Sequence, residues 1–245
     1  MRILLIFYLS PLICLAQQNL VDKNGKKQGV WKKMHQDGKT LQYEGQFKDD
    51  KPYGKFIYYS TEGKINAEII HFSNEKSRAT IYYDNGSVMS EGFYQSKMRD
   101  SIWYNYSRNG ELSSIEPYKL NKLHGLKSIF YLEGQQDNKL KILRKEGYED
   151  SLLNGSYESF FMNGELKQKG FYVKGTPTGT WEDYSIKGIV IKRFTYKDGV
   201  LHGWVYQFDE QGNEVYKRFF KKGKLLRDKE LEAYLDECGK MGIDP

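Results

Sequence analysis

Cysteine is almost missing from this chain of 245 residues. Only Cys14 and Cys238 occur, so no disulfide framework can hold a small loop-rich fold together. Proline is scarce at 5, and mean hydropathy is −0.72. After the first residues there is no apolar run approaching the roughly 20 residues of a membrane-spanning helix. A strong charge of one sign is also absent. The 38 basic residues face 32 acidic ones, giving +6, and the acids are interspersed, which argues against a nucleic-acid partner. Aliphatic residues are too few for a deep core. In their place stand 20 Tyr, 13 Phe and 4 Trp with 24 Gly, a balance suited to thin sheets with many tight turns.

The first residues have the pattern of an export signal. Arg2 precedes the apolar run Ile3 to Leu15, and Cys14-Leu15-Ala16 offers small residues at a cleavage site. Residues 1–16 are therefore expected to be removed. The bulky Ile13 disfavours the other reading, lipidation of Cys14. Removal leaves 37 basic against 32 acidic residues, a mild +5, and a lone Cys238.

From residue 25 to 225 the chain repeats. A small residue opens each copy and a glycine follows nine positions later: Gly29/Gly38, Gly54/Gly63, Ser77/Gly86, Ser101/Gly110, Gly125/Gly134, Gly155/Gly164, Gly179/Gly188 and Gly203/Gly212. Successive turn glycines lie 25, 23, 24, 24, 30, 24 and 24 residues apart. Such a period marks a repeat architecture. Each copy reads as a β-hairpin, and the Asn-Gly and Asp-Gly pairs predict type I′ turns, with longer turns where Glu, Lys or Gln precedes the glycine. The predicted fold is all-β: an elongated, single-layer twisted sheet of about eight antiparallel hairpins of ~24 residues. Two aromatic columns are expected to stack along it. One runs Met34, Tyr59, Tyr82, Tyr106, Phe130, Phe160, Tyr184, Phe208. The other runs Phe47, Phe72, Tyr94, Tyr118, Tyr148, Tyr172, Tyr196, Phe220.

Three places depart from the template. The fifth copy carries six extra residues between Gly134 and Tyr148, which predicts a lengthened strand pair with Gln135 to Asn138 near its tip. Lys139 and Arg144 are the candidate contacts there, against neutral drift at a surface turn. In the eighth copy Trp204 sits one place early, so its ring is expected on the opposite face. From Lys217 to Arg227 six cations alternate with aromatic and aliphatic residues. Arg218, Lys221, Lys222 and Lys224 either protect an edge strand or meet an anionic surface. Beyond residue 225, Leu231, Tyr234, Leu235 and Cys238 fall on one helical stripe, predicting a short capping helix closed by Gly239. The domains are thus 1–16, signal; 17–225, hairpin array; and 226–245, cap.

The recurring pattern, clearest in Gly29-Val30-Trp31, Tyr43-Glu44-Gly45-Gln46-Phe47, Gly179-Thr180-Trp181 and Lys169-Gly170-Phe171-Tyr172, resembles the bacterial variant of the MORN repeat over roughly residues 25–225. The resemblance implies a β-hairpin array acting as scaffold or interaction surface. Some members are linked to phospholipids, and many bacterial ones are labelled antitoxin or immunity components. Ala79, Lys127 and Val205 depart from it by replacing an aromatic.

No catalytic constellation survives inspection. Ser73-Asn74-Glu75-Lys76, Ser107-Arg108-Asn109 and Lys174-Gly175-Thr176 mimic pieces of the penicillin-binding set, but all fall in turns, where that chemistry needs a helix-borne serine in a cleft. His35, His71, His124 and His202 are spread along the array and cannot converge on a metal. The Asn-x-Ser triplets at Asn85, Asn105 and Asn154 follow from the repeat's turns. No enzyme, cofactor or metal is expected. The function expected is that of an exported, periplasmic or cell-surface interaction module with a protein partner. The alternatives are an antitoxin or immunity protein that binds a toxin, and a peripheral binder of anionic lipid or cell-wall polymer.

Overall fold

The computed structural model describes residues 18–132 and 140–245. The expected signal segment, Gly134, the Gln135 to Asn138 tip and Lys139 lie outside the described residues. The chain divides into two compact units, residues 1–74 and 75–245.

In the first unit β1 (Leu20–Val21), β2 (Lys27–Met34), β3 (Leu41–Lys48), β4 (Lys51–Tyr59) and β5 (Ile65–His71) pair in sequence order, all antiparallel. The second unit continues the same plan with β6 (Lys76–Tyr82), β7 (Val88–Gln95), β8 (Met98–Tyr106), β9 (Leu112–Lys119), β10 (Lys122–Leu123), β11 (Gly125–Phe130), β12 (Ile142–Glu149) and β13 (Leu152–Phe160). There follow β14 (Leu166–Val173), β15 (Thr176–Tyr184), β16 (Val190–Lys197), β17 (Val200–Leu201), β18 (Gly203–Phe208), β19 (Glu214–Lys221), β20 (Lys224–Leu226) and the helix α1 (Asp228–Met241). The sheet of this unit is open: β20 pairs with β19 alone. The all-β hairpin array is what the repeat predicts.

Turn chemistry meets expectation where Glu, Lys or Gln precedes the glycine and differs from it where Asn or Asp does. At Gly38, Gly63, Gly86, Gly110, Gly164, Gly188 and Gly212 only the glycine has positive φ, between 65° and 93°. The residue before it does not, even at Asn85-Gly86. Each glycine N–H donates to the carbonyl three residues back, as Gly86 does to Tyr83. These are type I turns closed by a left-handed glycine. The Asn and Asp preference has another cause: Asn85 Oδ1 accepts the Ser87 N–H, and Asp37 Oδ1 accepts those of Lys39 and Thr40.

The type I′ turns lie between hairpins instead. Asp49-Asp50, Ser96-Lys97, Leu120-Asn121, Asp150-Ser151, Lys174-Gly175, Asp198-Gly199 and Lys222-Gly223 all have two consecutive positive φ values. The opening residues are bulges: Gly54, Ser101, Gly155 and Gly179 are left-handed where the register slips. Leu120, at φ 49°, is the poorest fit, since a branched apolar residue has no local compensation there. Leu120→Asn is expected to stabilise the protein by about 0.5–1 kcal/mol, read as a higher urea midpoint with unchanged slope. An unchanged midpoint would contradict the strain.

In the fifth copy the pairing of the described residues runs to Phe130↔Ile142, as the next hairpin's runs to Phe160↔Leu166, and the expected lengthening falls on residues outside those described. Two smaller expectations are corrected. Phe72 is not in the aromatic column: His71 pairs with Gly54 as Phe47 does with Gly29, and Phe72 is 45% exposed. The slip arises because the first copy is one residue longer: 18 positions separate Gly29 from Phe47, whereas 17 separate Gly54 from His71, as they separate Ser77 from Tyr94. Last, α1 runs past Gly239 to Met241 and is closed by left-handed Gly242.

Candidate functional site

Alternation along the strands gives each unit two chemically different faces. One face carries the rings that stand two places after opening residues, of which Phe56 in the first unit and Trp103 and Trp181 in the second are nearly inaccessible. On the return strands glycines make room for those rings. A Cβ on Gly45 would lie 2.4 Å from the Phe56 ring, on Gly92 2.4 Å from Trp103, and on Gly170 2.1 Å from Trp181. Tyr172 and Tyr196 meet Trp181 edge-on at 5.2 and 5.8 Å, and Tyr94 meets Trp103 at 5.0 Å. The second predicted column therefore exists on this face. His71 joins it edge-on to Phe56 at 5.0 Å, and burial pushes its imidazole below the ordinary range.

The first predicted column lies on the opposite face, where Tyr59, Tyr106 and Tyr184 are tied to carboxylates. Tyr59 donates to Glu44 at 2.7 Å, Tyr106 to Glu91 at 3.0 Å and Tyr184 to Glu182 at 2.7 Å. Burial, then the neighbouring Glu, pushes Tyr59 and Tyr106 up to about 12. Lys169 and Arg193 flank Glu182 at 2.9 and 2.8 Å. Burial pushes the Glu182 carboxyl up, but donation from Lys169, Tyr184 and Arg193 outweighs it and holds the group at about 2. A depressed carboxyl contributes stability above its unfolded value near 4.5, lost as pH falls toward 2. Its half-exposed partners are screened, so the contribution is about 1–2 kcal/mol. Glu182→Gln is expected to flatten the fall in urea stability between pH 4.5 and 2. An unchanged slope would contradict this assignment.

A polar break interrupts the tryptophan face in the middle of the second unit. Lys127 occupies the ring position of β11, and Glu116 occupies the glycine position of β9. Lys127 Nζ lies 2.8 Å from Glu116 Oε1, with side chains only 20% and 14% exposed. Tyr118 donates to Glu116 at 2.8 Å and Tyr148 to Glu146 at 3.1 Å, while Arg144 forms an ion pair with Glu146 at 2.7 Å. Burial pushes the Glu116 carboxyl up, but Lys127 and Tyr118 bring it below the usual range. Arg144 is thus held by a buried carboxylate of its own strand. Sequence reasoning noted Lys127 as a missing ring but missed its partner. The signal was present in Glu116, which stands where Gly45, Gly92 and Gly170 stand elsewhere.

The other predicted contacts gather at the end of the chain. Trp204 pairs with Phe219 across β18–β19, their rings 5.2 Å apart, and Lys217 Nζ sits 4.8 Å over the indole. That is the face opposite Trp181, as expected. Phe219 is fully buried and meets Tyr234 of α1 at 5.5 Å, so the helix packs on that face of the last hairpin. Its stripe of Leu231, Tyr234, Leu235 and Cys238 is the less exposed side. The basic stretch is not one patch. Lys221 Nζ caps the Tyr234 ring at 4.0 Å, Lys224 pairs with Glu230 at 3.1 Å, and Lys222 turns the chain at φ 49°. Arg218, over Tyr216 at 5.0 Å, lies on the other face. Among the described residues no group of His, Cys, Asp and Glu is placed to hold a metal ion.

Residues 78–96 and 153–174, which span the hairpin β6–β7 and most of β13–β14, match the MORN repeat variant. The chain carries MORN-variant repeats. Over 113 residues, 41% of its length, it is 31% identical to 18% of the chaperone protein HtpG of Helicobacter pylori strain J99. It is 34% identical over 114 residues to HtpG of Helicobacter pylori strain 26695. The chain spans about a fifth of the length of these curated relatives, at 18%. A solved mutant of S. aureus TarM, in complex with fondaparinux, alpha-GlcNAc-glycerol and UDP, aligns with 56% of this chain and 21% of its own at 16% identity. Its TM-score of 0.25 carries no argument.

Proposed function

We propose that this protein is an exported, non-enzymatic interaction module whose repeats present an extended surface to a protein partner. MORN repeats generally serve protein or membrane interactions, and the matched repeats bring that class to this chain. The observation that carries the reading is the face opposite Trp103 and Trp181. Its ladder of Glu, Tyr and Lys is interrupted by large apolar side chains that stay well exposed. In the second unit Ile102, Tyr104, Leu126, Phe171 and Val173 are each 39–49% exposed. Single exposed apolar residues are ordinary, but a repeated set on one sheet face fits recognition. Several weak contacts at repeat spacing would add as avidity rather than as one deep pocket. Export rests on the Arg2, Ile3 to Leu15 and Ala16 pattern.

The test is affinity capture from envelope extract with residues 17–245 as bait. One protein recovered near equal ratio supports the reading. A toxin as that protein would select the antitoxin or immunity alternative. Recovery of anionic lipid or cell-wall polymer without protein would overturn it in favour of surface binding.

A further inference from the structure

We infer that the outer edge of β19 is a strand-addition site for an extended, acidic segment of a partner protein. This rests on the interaction role above and gives it a place and a chemistry. At an interior junction the following strand pairs with the return strand twice. Thr176–Thr178 of β15 pairs with Phe171–Val173, and after the bulge Glu182 and Asp183 pair with Lys169 and Gln168. At the last junction the first half recurs as Lys224↔Lys221, Leu225↔Phe220 and Leu226↔Phe219. The second half does not. Arg227 stands 24 residues after Gly203, at the position where a ninth opening residue would bulge. There the chain leaves the sheet for α1.

Tyr216 and Lys217 therefore correspond to Gln168 and Lys169, paired with β18 on the inner side and with no strand on the outer side among the described residues. Glu214 to Arg218 are all exposed, Val215 at 60% and Tyr216 at 43%. In an antiparallel ladder alternate residues turn both main-chain groups the same way. Since Phe219 and Lys221 turn theirs toward β20, Lys217 presents its N–H and C=O outward. The outer edge of β2 in the first unit is treated differently. Asn19 donates its N–H to Val30 O at 2.9 Å, its side-chain amide donates to Lys32 O at 3.0 Å, and its Oδ1 accepts the Lys32 N–H at 2.7 Å. With β1 it occupies the outer edge of β2 as far as Lys32. An open edge is a standing template for pairing, and here one edge is blocked while the other is not.

Charge selects the occupant. Residues 214–230 hold seven cations against three carboxylates. An open groove of about 400 Å³ beside the edge is lined by Trp204, Lys217, Arg218, Phe219, Arg227 and Leu231 among others. Two copies meeting edge to edge would bring Lys217 and Arg218 against themselves, so self-pairing is opposed. A segment of about five residues, the length left between Glu214 and Leu226 at about 3.3 Å each, would add beside Lys217. Its carboxylates would answer Lys217, Arg218 and Arg227, and main-chain bonds would fix its register.

The probe is a fluorescein-labelled, end-blocked octapeptide alternating Glu and Val, titrated by anisotropy with the whole protein at low salt. Saturable binding in the micromolar range is expected. The same peptide with alternate amides methylated should bind at least about tenfold more weakly, a change of about 1.4 kcal/mol. A Lys-for-Glu peptide should weaken by at least as much. Lys217→Pro removes an outward N–H that β18 does not use, and should abolish binding where Lys217→Ala only weakens it. If Lys217→Pro does not fold, the methylated peptide still tests the edge on the unchanged protein. No saturation by about 1 mM, equal binding of the methylated or the Lys peptide, or binding to phosphatidylglycerol vesicles in place of the peptide would overturn the proposal. A captured partner that binds Lys217→Pro as well as the natural protein would leave the interaction role standing and remove this edge from it.

Discussion

Gly170→Ala is expected to lower stability by about 3 kcal/mol, although it adds one methyl group to a strand. The Cβ would meet Trp181 at 2.1, 2.2 and 2.6 Å from three ring atoms, far inside contact distance. The indole cannot retreat, because Tyr157, Tyr172 and Tyr196 lie 5.3, 5.2 and 5.8 Å from its centroid. The loss arises from the ring and not from the backbone, since Gly170 is not among the residues with positive φ. A double-mutant cycle separates these causes. In the Trp181→Ala background the same substitution should cost under about 1 kcal/mol, a coupling of about 2 kcal/mol. Equal costs in the two backgrounds would show that glycine is needed there for another reason.

Lys127→Met, which nearly keeps the side-chain volume, is expected to cost about 2 kcal/mol. Removing one member of a buried ion pair strands the other. Glu116 is 14% exposed and retains only Tyr118 and Ser114 as partners at 2.8 and 3.2 Å. The partial exposure of Lys127, 20%, keeps the figure below that of a fully sealed pair. Glu116→Gln added to Lys127→Met should recover more than half of the loss, because a neutral amide needs no counter-charge. Urea unfolding of the two variants is the measurement. A double variant no more stable than Lys127→Met would mean that the pair is not what Lys127 supplies.

The repeat itself was legible from spacing alone. A glycine nine places after each opening residue specifies hairpins whatever the strands contain, and the structure builds them. The turn type was legible at Gly63, Gly188 and Gly212, but not at the Asn-Gly and Asp-Gly pairs, because Asn-Gly is compatible both with type I′ and with a type I turn whose glycine alone is left-handed. Loop length decides between them, and one residue of uncertainty in strand ends hides it. The same single-residue slip placed Phe72 in a column that His71 occupies. The polar break was half legible. Lys127 shows in the sequence as a missing ring, but pairing it with Glu116 requires knowing which return-strand residue lies under the next hairpin's ring. The open stretch of β19 was half legible: the helical stripe beyond residue 225 and the edge-strand reading of Lys217 to Arg227 show in the sequence, but which residues stay uncovered depends on the register of β20, Leu226 against Phe219.

In the second unit the two faces differ in what they leave exposed. The tryptophan face is consumed by packing, and its glycines are spacers for rings. The other face keeps its carboxylates satisfied by Tyr and Lys and leaves apolar side chains uncovered. Binding by that second face is the central claim, and capture by paired baits tests it most directly. Natural protein and the variant Tyr104→Ser with Phe171→Ser, two residues 39% and 46% exposed, are matched for circular dichroism and melting temperature. The natural bait should retain one protein near equal ratio, and the variant at least about tenfold less. A partner retained equally by both baits would contradict it.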